Sequence, residues 1–116
     1  MTDIAMQELS LRLGGVVVLD VRSRPEFDGT GGADCDPRQG HIPGALHLDA
    51  YRLMRMTPDD VGTELGLEPG AEVVTYCHSG SRSAFAANVL RNMGYAARNY
   101  VGSWHQWSRT DLPIER

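Results

Sequence analysis

The run Val16-Val17-Val18-Leu19-Asp20-Val21 constrains the fold of this chain more than any other segment. A strand with one wet face alternates apolar and polar residues. This run does not alternate, so it predicts a strand covered on both faces, as in a parallel sheet flanked by helices. A second strand, Glu72-Val73-Val74-Thr75-Tyr76, leads directly into Cys77-His78-Ser79-Gly80-Ser81-Arg82-Ser83. A helical pattern follows it to Met93, with Ala86, Val89, Leu90 and Met93 on one face and Gly94 as the stop.

The remaining segments continue the alternation. Residues 3–13 read as a helix, with Met6, Leu9 and Leu13 on one face and Gly14-Gly15 behind them. Residues 28–40 form a long polar loop, of a length more often functional or mobile than idle. His41 to Gly44 is a turn, residues 45–48 a short strand and residues 49–56 a short helix. Thr57, Pro58 and Asp60 then spell an N-cap, a first helical residue and a capping box, and Gly66 ends that helix. Residues 96–100 are a last strand, with Trp104 and Trp107 in a final turn. The expected class is α/β, one domain over residues 1–116, with a small, mostly parallel sheet covered by helices on both faces. Sites in such sheets lie at the carboxyl ends of strands, where Asp20 and Cys77 both fall.

Composition narrows the function classes. The formal net charge of −4 argues against nucleic acid or an anionic membrane as the main partner. No basic-then-apolar leader and no apolar run near ~18 residues is present, so a cytoplasmic protein is expected. Two cysteines do not make a disulfide framework, and a reducing compartment keeps Cys77 available as a thiolate. His41, His47, His78 and His105 show no metal-ligand spacing, so no metal is expected. Gly29 to Gly32 is not a dinucleotide fingerprint and no phosphate-binding Walker sequence occurs, so no cofactor is expected either.

Chemistry concentrates at Cys77. A cysteine between a strand and a helix, on a Gly/Ser loop, faces main-chain N–H groups and the positive end of the helix dipole. Both favour the thiolate, which at an ordinary thiol pKa of about 8.5 is a minor species at neutral pH. The same amides would hold the anionic outer sulfur of a persulfide.

Three pieces together resemble the rhodanese-type sulfurtransferases, in particular the catalytic half of tandem-domain thiosulfate and mercaptopyruvate sulfurtransferases. They are Leu19 to Phe27 followed by Gly40 to Ala45, then Val74 to Ser83, then Tyr100 to Trp107. The resemblance covers nearly the whole chain. It implies transfer of sulfane sulfur from thiosulfate or a related donor to cyanide or a thiol, through a persulfide on Cys77. The alternatives carried forward are a persulfide carrier serving a protein partner and a Cys-based phosphatase or arsenate reductase. Loop length separates the last: Cys77 to Arg82 is Cys-x4-Arg, whereas the related phosphatases use Cys-x5-Arg, one residue wider. The shorter loop suits a single sulfur atom.

The other site residues divide between chemistry and scaffolding. Arg82 reads equally as an anion contact and as an ion pair with Glu26 or Asp20. His78 and Ser79 stand where thiosulfate-preferring relatives often carry cations, and His78 is expected to be partly exposed. Gly80 supplies backbone freedom. Ser81 and Ser83 are expected to cap the helix, with hydroxyl donation to sulfur as the alternative. Asp20 is read as structural, because a carboxylate among apolar neighbours needs a partner. Arg22 and Glu26 are expected to pair and to organise a turn over residues 22–27, and His41 to satisfy a turn backbone group. Cys35 reads as an incidental loop cysteine; the alternative is a thiol that attacks a Cys77 persulfide.

Overall fold

The computed structural model of the chain describes residues 3–116. Five parallel strands form one sheet in the order β1-β5-β4-β2-β3. They are β1 (Asp3–Ile4), β2 (Val17–Asp20), β3 (Leu46–His47), β4 (Glu72–Tyr76) and β5 (Ala96–Tyr100). The helices are α1 (Met6–Arg12), α2 (Arg24–Asp28), α3 (Ala50–Leu53), α4 (Pro58–Leu65), α5 (Ser81–Asn92) and α6 (Ser103–Trp107). The α/β class expected from the sequence is the one observed.

Strand alternation divides the core between two faces. Leu19 and Val73 point to one side, where they meet Leu53 of α3, Val61 of α4, and Ala86 and Leu90 of α5. Val18, Val74 and Tyr76 point to the other, against Leu9 of α1 and Trp104 and Trp107 of α6. The two indoles are completely buried, yet neither N–H is stranded. Trp104 Nε1 donates to the Arg38 carbonyl (3.0 Å) and Trp107 Nε1 to the Pro113 carbonyl (2.9 Å). These bonds hold the 28–40 loop and the C-terminal segment against α6.

Local signals worked where they were complete. Thr57 and Asp60 form the reciprocal capping box at the start of α4, and Gly66 ends it in the left-handed region at φ 66°. Three expectations need correction. Residues 3–13 are not one helix: Asp3–Ile4 pairs in parallel with Asn99–Tyr100, and α1 begins only at Met6. The turn after Arg22 is a helix, α2, whose Ser23 accepts from the Glu26 N–H while Glu26 accepts from the Ser23 N–H. The helix of residues 49–56 is the single turn Ala50–Leu53, capped by Asp49. β4 lies at the centre of the sheet, so the loop that leaves its carboxyl end is enclosed by neighbours on both sides.

Candidate active site

The Cys77 loop leaves β4 and enters α5 within four residues. Gly80 makes the reversal possible. Its φ is +100°, and a Cβ there would lie 2.8 Å from the Val101 carbonyl oxygen, so a side chain is excluded by both conformation and space. The turn aims the Gly80 N–H at Cys77 Sγ (3.1 Å). Ser83 Oγ, one turn into α5, donates to the same sulfur (3.3 Å). Burial acts to raise the thiol pKa. The Ser83 hydroxyl and the amides of Ser83, Gly80 and Ser79 act against burial and prevail, holding Cys77 below the usual thiol value. The side chain is therefore buried, but among donors.

The loop is braced from two sides. Ser103 Oγ accepts from the Cys77 N–H (3.1 Å) and donates to the Tyr100 carbonyl (2.8 Å). The Trp104 and His105 amides donate to the carbonyls of Cys77 and His78, both at 2.9 Å. Ser103 does this at φ 54°, the one positive φ outside glycine among the described residues. Asn99 Nδ2 donates to the Gly80 carbonyl (3.2 Å), and Thr75 Oγ1 to that of Ser83 (2.9 Å). Sequence reading missed Thr75, Asn99 and Ser103 as loop supports. Only the position of Thr75 and Asn99 near the ends of β4 and β5 hints at it; Ser103 opens α6 and carries no such signal.

The sequence-predicted residues sort out as follows. Arg82 pairs with Glu26 through two bonds, at 3.0 and 3.2 Å, which selects one of its two expected carboxylates. Burial opposes ionisation of Glu26, but Arg82 and the Ser23 donors overcome it and hold its pKa down to about 2. The expected Arg22–Glu26 pair does not form. Arg22 turns to Asp20 instead (Nη2–Oδ2 2.7 Å), and both side chains are buried. It also donates to the Gly40 carbonyl (2.6 Å) and lies over the rings of Tyr76 and Trp104. A buried aspartate next to an arginine two residues on is satisfied at once, leaving Glu26 free for the loop. Ser81 and Ser83 do not cap α5; Gly80 is its N-cap residue, with no side-chain bond, and the Ser83 hydroxyl serves the sulfur. His41 Nδ1 lies 2.8 Å from the Phe27 carbonyl, the backbone role expected of it. His78 is partly exposed, with Nε2 2.9 Å from Asp36 Oδ2. Ser79 is exposed and borders a largely apolar groove of about 590 Å³ lined also by Met6, Val101, His105 and Gln106.

A central parallel strand, a Cys-x4-Arg loop of inward N–H groups and a following helix define a cysteine-loop α/β domain. The family model described as the rhodanese-like domain matches residues 5–110, and the chain belongs to that family. A thiosulfate sulfurtransferase of Pseudomonas aeruginosa is 34% identical over 119 residues, spanning 92% of this chain and 43% of its own length. One from Azotobacter vinelandii is 34% identical over 116 residues, spanning 90% and 42%. The crystal structure of a probable thiosulfate sulfurtransferase superposes with a TM-score of 0.87 at 42% identity, covering 99% of this chain and 48% of that one. A structure of an EanB variant with ergothioneine linked to a persulfide cysteine gives 0.89 at 25% identity, covering 99% and 28%. The chain thus spans less than half the length of these relatives. Among the described residues no helix is long and apolar enough to cross a membrane.

Proposed function

We propose that this chain is a sulfurtransferase domain, one unit over residues 1–116, that carries sulfane sulfur on Cys77. The observation that carries the reading is the hydrogen-bond set on Cys77 Sγ from the Gly80 amide and the Ser83 hydroxyl. The Cys77 thiolate attacks the outer sulfur of thiosulfate or a related donor. An S–S bond forms to Cys77, and the donor's own S–S bond breaks with its electron pair leaving on sulfite. The loop amides then face a terminal persulfide sulfur instead of a thiolate. Cyanide or a thiolate attacks that terminal sulfur, takes it, and returns Cys77 as the thiolate. Charge stays on sulfur throughout, so a fixed ring of donors serves both half-reactions without rearrangement. Neither half-reaction calls for a cofactor. A reducing, cytoplasmic setting suits a chemistry that needs a free thiol.

One observation favours a second reading, that of a persulfide carrier loaded by a protein partner. The chain contains no lysine. Arg82, on the loop, is committed to Glu26, and Arg22 and Arg109 are likewise paired, with Asp20 and Asp36. A dianionic sulfonate gains less from paired arginines than from free ones. The Cys-x4-Arg count continues to set phosphoryl transfer last.

Thiocyanate formation from thiosulfate and cyanide, measured on the wild type and on Cys77→Ser, tests the proposal. The wild type is expected to turn over and the variant to be inactive. Retained turnover in Cys77→Ser would overturn the role of Cys77. A wild type that accepts sulfur stoichiometrically but turns over negligibly would support the carrier.

A further inference from the structure

Histidine and cysteine spacing in the sequence gives no sign of a metal site, because the residues concerned lie on two distant segments. The fold brings them together. Sγ of Cys35, a carboxylate oxygen of Asp36 and a ring nitrogen of His78 all lie within 4.8 Å of one another. Cys35 is exposed on the 28–40 loop, whereas the Asp36 side chain is completely buried. Arg109 occupies Asp36 Oδ1 (2.8 Å) and leaves Oδ2 to face His78. There, His78 Nε2 and Asp36 Oδ2 are 2.9 Å apart but not aligned for a hydrogen bond, and both atoms are buried without a partner. A buried carboxylate oxygen and a ring nitrogen this close, with no hydrogen bond to each other or to any other described group, leave two donor atoms open to one shared partner. The exposed thiol beside them completes three ligands.

We propose that Cys35, Asp36 and His78 form a site for a borderline divalent metal ion, of the Zn²⁺ or Co²⁺ type, at the rim of the Cys77 loop. The donor set is thiolate, carboxylate and imidazole, which favours such ions over Mg²⁺ or Ca²⁺. Binding exchanges the Cys35 S–H bond for an S–metal bond, with the proton released to solvent; Nε2 of neutral His78 gives its lone pair. The thiolate and carboxylate offset the ion's two charges, and Arg109, paired with the other Asp36 oxygen, leaves the occupied site with one net positive charge. Metal–ligand bonds of about 2.0–2.1 Å to N and O and about 2.3 Å to S require the three atoms to be roughly 3.3–3.6 Å apart in a tetrahedral site. The needed adjustment is therefore a small opening of the His78–Asp36 pair and a closing of the Cys35 side chain. A water molecule takes the fourth position. An occupied site would tie the loop carrying Cys35 to the residue that follows Cys77. The binding claim does not rest on sulfur transfer.

Titration of Co²⁺ into the Cys77→Ser variant tests the site with the other thiol removed. The expected result is one equivalent bound, with tetrahedral visible bands and a thiolate-to-cobalt charge-transfer band in the near ultraviolet. Adding Cys35→Ser is expected to abolish the charge-transfer band, and adding His78→Ala to weaken binding at least ~tenfold, the loss of one ligand. Circular dichroism of each variant checks that it is folded. Absence of the charge-transfer band in folded Cys77→Ser would overturn the proposal, as would unchanged binding after either further substitution.

Discussion

Replacing Ser83 by Ala isolates one of the donors that lower the Cys77 thiol pKa. The Ser83 hydroxyl reaches Sγ at 3.3 Å from inside α5, and its own carbonyl bond to Thr75 belongs to the backbone and survives the change. A hydrogen bond to a charged acceptor contributes about 1.5–3 kcal/mol, and one to a neutral acceptor about 0.5–1.5 kcal/mol. The difference, roughly 1–1.5 kcal/mol, is what favours thiolate over thiol. At 1.36 kcal/mol per pH unit, Ser83→Ala should raise the Cys77 pKa by about one unit. Below that pKa the thiolate fraction, and with it the alkylation rate, should fall by up to about tenfold. The assay is the rate of iodoacetamide alkylation against pH, in a Cys35→Ser background so that a single thiol reports. The loop amides, the Gly80 bond among them, are then left to oppose burial alone. A profile displaced by less than about 0.3 units would refute the assignment of Ser83 as a donor to the sulfur.

Other substitutions probe the surroundings of the loop. Gly80→Ala forces a side chain into a left-handed backbone against the Val101 carbonyl. It should cost at least about 1–2 kcal/mol in denaturant unfolding and lower the alkylation rate of Cys77. Glu26→Gln tests the Arg82 pair. A carboxyl held at about 2 rather than 4.5 corresponds to roughly 3 kcal/mol, discounted to about 2 because the Arg82 side chain is 30% exposed. Because the folded value is depressed, that stabilisation is complete above about pH 4.5. The wild-type advantage over Glu26→Gln in denaturant melts should shrink as pH falls toward 2, and a pH-independent difference would contradict the pair. Arg22→Met leaves the buried Asp20 carboxylate without its cation and should destabilise by about 3–5 kcal/mol, read by the same melts.

The residues that signalled their roles from the sequence did so through local rules. The unbroken valine run of β2, the capping box at Thr57 and the stop at Gly66 each depend on near neighbours, and each reads the same in the structure. So does the passage from β4 through Cys77 into α5. The departures arise from partners distant in the chain. Asp3–Ile4 is a strand only because β5 offers an edge, and two residues are too few to outweigh the helical spacing of Met6, Leu9 and Leu13. The sequence offers Glu26 both to its neighbour Arg22 and to Arg82, and the fold gives it to Arg82, 56 residues further on. The helix α2 was legible in principle. Ser23 and Glu26 have capping-box spacing with Pro25 between them, a signal overshadowed by reading the segment as a turn. Ser103 could not be picked out, because its left-handed conformation and its bond to the Cys77 amide exist only once α6 packs under the loop.

The same division explains how a small domain holds a reactive sulfur. Among the described residues the hydrogen-bond donors to Cys77 Sγ come from Ser79 to Ser83, and are local. The groups that keep those residues in place come from outside them: Glu26 in α2, Thr75 in β4, Asn99 in β5, and Ser103 with the Trp104 and His105 amides in α6. In the proposed mechanism the loop supplies the sulfur's hydrogen-bond donors, and the parallel sheet supplies its rigidity.

Intact-protein mass spectrometry after brief exposure to thiosulfate, with no acceptor present, addresses the central claim most directly. The account predicts a gain of one sulfur atom on the wild type and on Cys35→Ser, removed by cyanide, and no gain on Cys77→Ser. A sulfur adduct that persists in Cys77→Ser, or that disappears in Cys35→Ser, would contradict it.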